Sequence, residues 1–485
     1  MLHVARRATE THVLRGGGAY HRPVELLAAV NSAIAECVAH AGGASGRPAA
    51  IGIASMAEAG VPVDRRDLPI GDIMTWYDPR PERQAAWLER QVGAAALFAR
   101  TGLRPEPKYT LPKLLWLREQ KAADFTRLRH WAGVAELVGL DLTGLLATNA
   151  SLACRTMAFD VTKRAWDPDL LGLASLGPGE MASVLPLGTA VGGLTAAAAT
   201  RLGLPVGTPV AIAGHDHLAA AIGAGATKPG DVLDSMGSAE ATLLVTAVPS
   251  LADDVRRGGF SSGCHAVDGL SYVAGGLQAS GALIEWFLDT FVGTTGEGDR
   301  STAEADRYAR FAELLVQAGP GPVEPIVRPY LRGRTAPHRD PAASLEFEGL
   351  HENHTLADLA AAVVDGAAYH VRWMLDELAR ITNTRLDRVK LTGGGARNRR
   401  WVVAKAALGP GRLEVVRTEE AAALGAALVA GVACGAYASV ADALTDASPF
   451  DRVTASATVQ ARYDAAYLDR WLPAVITRLR QGGLS

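Results

Sequence analysis

Apolar residues recur along this chain with two alternating periods. Between positions 23 and 41, Leu26, Leu27, Val30, Ile34 and Val38 fall at helical spacing, which predicts an amphipathic helix over Pro23–Ala41. Ala49–Ile53 is a short apolar run of strand length, and Pro205–Ala213 reads as a strand ending at Gly214. The second half repeats the style. Asp231–Ser235 and Ala241–Thr246 predict two strands around a turn of small residues. Leu386–Leu391 predicts a strand, Thr392–Ala396 a glycine-rich turn, and Arg397 onward a helix. Leu413–Arg417 is a further strand, followed by a helix over Glu419–Gly435. Alternating strands and helices of this kind define an α/β protein. The Gly/Ala/Pro-rich stretch Gly223–Gly230 is the natural boundary, dividing the chain into 1–222 and 223–485.

Composition narrows the picture. A length of 485 residues allows roughly three domains of ~150 residues, but the pattern supports two large units. Hydrophobic residues at 48% and charged residues at 20% are those of an ordinary globular protein. A net charge of -3 excludes an electrostatic nucleic-acid binder. Two uncharged runs, Met181–Thr200 and Ala421–Ala441, raise the question of a membrane span. The first contains Pro186 and three glycines, and the second is mostly Ala and Gly. Neither matches the ~20 strongly apolar residues a bilayer requires, so the second is read as a buried helix packed closely through small residues. Cys37, Cys154, Cys264 and Cys434 are far apart with no C-x-x-C, which points to free thiols rather than a zinc site or a disulfide framework. With no apolar stretch behind the opening residues, the expected location is the cytoplasm, without membrane or nucleic-acid partners.

Three segments have the residue types that chemistry needs. In Ala213–His217, an Asp follows a strand directly, where open α/β sheets place ligands. Asp216 there is positioned to take a proton from a hydroxyl; the plainer alternative is a helix N-cap. Asp234–Glu240 offers Ser235, Gly237, Ser238 and unhindered backbone N–H groups between two strands, a form that can cradle phosphate, although taken alone it reads first as an ordinary hairpin turn. Leu391–Asn398 places Gly393, Gly394 and Gly395 between a strand and a helix, where a nucleotide can approach the backbone. It lacks the G-x-G-x-x-G and G-x-x-x-x-G-K-[ST] fingerprints.

In order and spacing these pieces resemble the FGGY family of carbohydrate kinases over nearly the whole chain. Ile53–Asp64 and Ile73–Asp78 are similar to the family's first-lobe strands, and Pro112–Leu117 to its helical insert. Gly214-His-Asp216 resembles the catalytic Gly-x-Asp, and Ser235–Ser238 the S-x-G-T/S phosphate motif. Pro329–Thr335 is similar to the family's P-Y-L-x-G-E-R-T run, without its Glu, and Glu419–Ala427 to its C-terminal signature.

The resemblance implies a two-lobed, actin-like (ribonuclease H-like) ATPase fold, with ATP between the lobes, Mg²⁺ on its phosphates, and a sugar or polyol as acceptor. It makes Asp216 the general base and a Mg²⁺ contact. Gly237, Ser238 and Ser235 fall to the ATP phosphates, and Gly394, Gly395 and Asn398 to the adenosine. Glu58 stands where xylulose kinases have the His of Q-M-H-G and where glycerol kinases have a Glu, so Glu58, Asp78, Arg80 and His217 are the substrate candidates. For Asp78 and Arg80 a surface ion pair is an equal alternative. A homodimer is allowed. One departure stands out: the family's opening D-x-G-T/S strand and tight hairpin have no counterpart in these residues, and His3–Thr11 already resembles the segment next in order after that hairpin. The expected first lobe therefore lacks it. The competing reading is a catalytically impaired relative that binds sugar or nucleotide as a sensor or partner. An actin-like chaperone or filament protein ranks last, because it has no use for Glu58.

Overall fold

The computed structural model describes residues 2–41, 46–293, 300–447 and 450–481. Helix α1 (Pro23–His40) ends within one residue of its expected limit. Its Pro at the first helical position suits the fixed φ of proline. Beyond it, strand β1 (Ile51–Ser55), β2 (Ala190–Gly193) and β3 (Pro209–His215) form a three-stranded sheet in the order β2-β3-β1. β1 and β3 are parallel, with Ser55 opposite His215. Helix α2 (Asp216–Gly223) leaves the end of β3 directly. A second, five-stranded sheet of this lobe is built from very short strands: His12–Val13, Ala19–His21, Ile73–Met74, Gly60–Val63 and His130–Gly133, in that spatial order.

The C-terminal half is built around one large sheet. Strands β4 (Asp231–Met236), β5 (Glu240–Thr246), β6 (Ser261–Cys264) and β7 (Ser271–Leu277) form an antiparallel group. Helix α3 (Gly281–Phe287) comes next, and the long helix α4 (Leu356–Thr382) covers a face of the core. Strand β8 (Arg388–Thr392), helix α5 (Arg399–Leu408), strand β9 (Arg412–Val416), helix α6 (Ala421–Ala433) and strand β10 (Phe450–Val453) complete the lobe. The spatial order is β6-β7-β5-β4-β8-β9-β10, with β4, β8 and β9 parallel.

The two halves share a pattern. In each, two parallel strands are flanked on one side by an antiparallel one: β1-β3-β2 in the first half, β8-β9-β10 in the second. On the other side of β8 lies the β4–β5 hairpin. Among the described residues no strand pairs with the corresponding edge of β1.

Helices α2 and α6 cross between the lobes at backbone contact. A Cβ added to Gly425 would strike the Ala219 carbonyl and stand 3.0 Å from the Gly223 nitrogen; one added to Gly223 would strike the Ala421 carbonyl. The Ala421–Ala433 part of the uncharged run is thus the close-packed helix expected, the chain turning before Ala441, and no helix among the described residues is long and apolar enough to cross a membrane.

Two histidines titrate against this core. His265 and His370 are both 0% exposed, and His370 lies edge-on to Tyr330 and Trp373. Burial pulls His265 down to about 4 and His370 down to about 3. Unfolded, each protonates near ~6.5, so between those values the unfolded chain binds more protons than the folded one. Their contribution is complete above about pH 6.5 and is lost as pH falls toward 4, at up to ~1.4 kcal/mol per pH unit for each. The melting temperature is expected to fall on acidification through this window, and less steeply in His370→Phe. A melting temperature that rises on acidification would contradict the assignment.

Candidate active site

The site assembles at the carboxyl ends of parallel strands. Asp216 begins α2 immediately after β3, and Glu58 lies three residues beyond the end of β1. The expected strand stop at Gly214 is corrected: the strand runs through it to His215, because Gly214 continues the chain at φ 118° with a register shift. A side chain there would collide with Ser151 and Asn149. Those two residues brace the strand end: the Ser151 hydroxyl accepts from the His215 N–H at 3.1 Å, and the Asn149 amide donates to the Ile212 carbonyl at 3.2 Å. The Asp216 carboxylate is 45% exposed. Its Oδ1 accepts the His217 N–H at 2.7 Å and lies 3.2 Å from His215 Nε2, leaving Oδ2 without a partner among the described residues.

Glu58 is held in the left-handed region at φ 63°, a conformation that a non-glycine residue adopts only when its surroundings impose it. Lys113 imposes it by donating to the Glu58 carbonyl at 2.6 Å and to the Thr75 carbonyl at 2.8 Å. Burial lowers this lysine to about 7. The Glu58 carboxylate faces Arg155, whose Nη2 lies 2.5 Å from Oε1 and whose Nε donates to it at 2.8 Å. Burial pushes Glu58 up, but the charges of Arg155, His215 and Lys108 outweigh it and bring the group to about 2. Arg155 also reaches the Tyr272 hydroxyl at 3.4 Å, so it joins the Glu58 loop to the second lobe. His215 is drawn down to about 4 by burial, with His217 and Arg155 adding to the effect.

Asp78 and Arg80 engage each other. The Asp78 side chain is fully buried and accepts from the Arg80 backbone N–H at 2.9 Å and its guanidinium at 2.5 Å. Arg80 stacks over Trp116 at 4.6 Å. The surface-pair alternative is corrected on one side, since only Arg80 reaches solvent. Beside them Trp76 and Tyr77 stand exposed, edge to face at 5.0 Å.

In the second lobe the two small-residue turns meet. Ser235 is the last parallel pair of β4 with β8, opposite Thr392. Gly393 comes directly after, and a Cβ there would stand 2.7 Å from the Met236 carbonyl. Gly394–Arg397 forms a 3-10 turn, so the helix expected from Arg397 begins at Arg399, with the Asn398 side chain capping it through the Trp401 N–H at 3.2 Å. Gly237 and Ser238 are exposed at the β4–β5 turn. Their carbonyls accept from Gly281 at 2.9 Å and from Ser280 and Ala282 at 3.0 Å. Beneath the turn, Lys405 of α5 bonds both Asp234, at 2.5 Å, and Glu240; Ser280 donates to Glu240 at 2.6 Å. All four are buried. Burial, with Glu240 beside it, pushes Asp234 well above the carboxylate range.

Sequence reasoning missed Arg155, Tyr272, Lys113 and Lys405. A lone arginine within Ser151–Thr156 is the only local signal; the others are identified by long-range contacts.

Comparison with known proteins agrees with this architecture. Residues 1–223 match the N-terminal domain of the FGGY family of carbohydrate kinases, and residues 233–434 match its C-terminal domain. The chain belongs to that family. It is 29% identical over 427 residues to a glycerol kinase of Trichlorobacter lovleyi, covering 86% of this chain and 82% of the relative. It is 26% identical over 390 residues to a xylulose kinase of Lactococcus lactis, covering 80% and 74%. To a gluconokinase of Bacillus subtilis it is 23% identical over 387 residues, again covering 80% and 74%. A xylulose kinase crystal structure from Rhodospirillum rubrum superimposes with a TM-score of 0.86 at 26% identity, covering 98% of this chain and 93% of that one. The fold is therefore that of the two-lobed, actin-like sugar kinases.

Proposed function

We propose that this protein transfers the γ-phosphoryl group of ATP to a hydroxyl of a sugar or polyol, with its lobes dividing at residues 222/223 and Asp216 as general base. The observation behind this reading is the partly exposed Asp216 carboxylate one residue beyond β3, with Glu58 three residues beyond the end of the neighbouring parallel strand β1. Asp216 takes the proton of the attacking hydroxyl. The Glu58–Arg155 pair offers acceptor and donor atoms to neighbouring hydroxyls, with His217 and the exposed face of Trp76 at the rim. Asp78 and Arg80 act as positioning residues. Ser235, Gly237 and Ser238 meet the phosphates; Gly394, Gly395 and Asn398 meet the adenosine. The free Oδ2 of Asp216, together with phosphate and water oxygens, is a donor set that suits Mg²⁺. Bound there, the ion would neutralise phosphate charge. Lobe closure would exclude water from the transfer.

The test is ADP release measured over a panel of ketoses, polyols and aldonates. One member of the panel is expected to stimulate release; none doing so would count against the reading. Glu58→Ala is expected to weaken binding of that substrate at least ~10-fold, the scale of one charge-assisted hydrogen bond, and to spare ATP. Equal loss of both affinities in calorimetry would remove Glu58 from the pocket.

The alternative reading is a non-catalytic relative that binds sugar or nucleotide. Sugar binding without ADP release would select this reading.

A further inference from the structure

Cys154 and Cys264 are 110 residues apart in sequence and belong to opposite lobes. Cys154 opens the 3-10 turn Cys154–Thr156, and Cys264 ends β6 at the margin of the large sheet. The turn and the strand approach within 8 Å between Cα atoms. Cys154 Sγ lies 3.9 Å from the Cys264 carbonyl oxygen and 3.3 Å from that of Ser151, while Cys264 Sγ lies 3.7 Å from the Val161 carbonyl oxygen. Both are 0% exposed, whereas Cys37 and Cys434 are only half-buried. Spacing along the chain conceals this pair, because it is made only when the lobes dock.

The neighbours make the pair asymmetric. Burial raises the Cys154 thiol, but the neighbouring Cys264 and the charge of Arg155 bring it below its ordinary value on balance. The Cys264 thiol is raised by the nearby Cys154 and by burial. Thiolate character therefore concentrates on Cys154, with the resolving thiol already at hand. Arg155, the next residue, spans Glu58 and Tyr272, so the pair lies against the wall of the candidate pocket.

We propose that Cys154 and Cys264 are a site of reversible oxidation by hydroperoxides, forming a disulfide that staples the two lobes together. The Cys154 thiolate attacks a peroxide oxygen. The O–O bond breaks, giving a sulfenic acid at Cys154 and, after protonation, one water. The Cys264 sulfur then attacks the Cys154 sulfur, the S–O bond breaks, and a second water leaves. Two thiols are oxidised by two electrons in total, and hydrogen peroxide is reduced to two waters. A dithiol reductant reverses the change by exchange. The peroxide reaches the buried pair when the lobes part. Once formed, the bond holds Arg155 and Tyr272 at fixed separation and prevents that parting, so turnover stops.

The full chain is treated with hydrogen peroxide, quenched with N-ethylmaleimide and digested for mass spectrometry. The expected result is a cross-linked Cys154–Cys264 peptide, a fall in free thiols from four to two per chain, and full reversal by dithiothreitol. The cross-link should persist in the Cys37→Ser/Cys434→Ser double variant and vanish in Cys154→Ser and Cys264→Ser. Retention of four thiols, oxidation confined to Cys37 and Cys434, or sulfinic acid at Cys154 without a cross-link would each overturn the proposal. The wild-type peptide map decides the matter even if a serine variant fails to fold. Loss of ADP release on oxidation, regained on reduction, is the expected functional consequence, and only this arm rests on the kinase reading. A chain that cross-links but releases no ADP when reduced retains the site and loses the kinase assignment.

Discussion

Asp216→Asn is expected to reduce phosphoryl transfer on the order of 10³-fold, within the range for loss of a positioned general base, while leaving sugar affinity intact. The carboxylate oxygen that accepts the His217 N–H in the first turn of α2 is replaced by an amide oxygen able to accept the same bond. The helix start and the Asn149–Ser151 brace behind it should therefore survive. The capacity to take a proton disappears, together with the negative charge available to Mg²⁺. Turnover and sugar affinity are compared in both proteins. Unchanged turnover in the variant would remove Asp216 from the role; equal loss of turnover and sugar binding would make it a binding residue.

The second large effect is expected at Lys405. This ammonium is enclosed with two carboxylates, Asp234 and Glu240, under the β4–β5 turn. Removing the cation of a buried cluster costs about 3–5 kcal/mol, because the remaining charge is left unpaired in a medium that solvates it poorly. Lys405→Met should lower the melting temperature on the order of 10 °C and raise the KM for ATP, with sugar affinity unchanged. Asp234→Asn should be far milder. Burial and the adjacent Glu240 already favour the protonated form of Asp234, so the neutral amide resembles the native state. If Lys405→Met melts like the wild type, the cluster is not what holds the β4–β5 turn. If Asp234→Asn is as damaging as Lys405→Met, Asp234 is ionised after all.

These two sites differ in how far the sequence discloses them. The Asp216 segment is visible because its features are local: an apolar strand, a glycine and an acid in succession. The helix over residues 23–40 and the parallel strands are legible for the same reason, a single unbroken period. Local reading fails where geometry departs from the rule. Gly214 looks like a stop and instead carries the strand onward at positive φ. The first lobe's five-stranded sheet rests on strands of two to four residues, too short to show any period. The Lys405 cluster and Arg155 are hidden for a different reason. Lys405 and Asp234 are 171 residues apart, and Arg155 and Glu58 are 97 apart, so only the folded chain reveals which charge answers which.

The unpaired edge of β1 also bears on how the molecule comes apart. Strand β8 is zipped on both sides, to β4 and β9, whereas among the described residues β1 is zipped only to β3. Regions with fewer backbone partners open at lower free energy. The strand that leads into the Glu58 loop is therefore expected to exchange its amide hydrogens sooner than β8, and a ligand bound there would contribute stability that the backbone ladder does not provide.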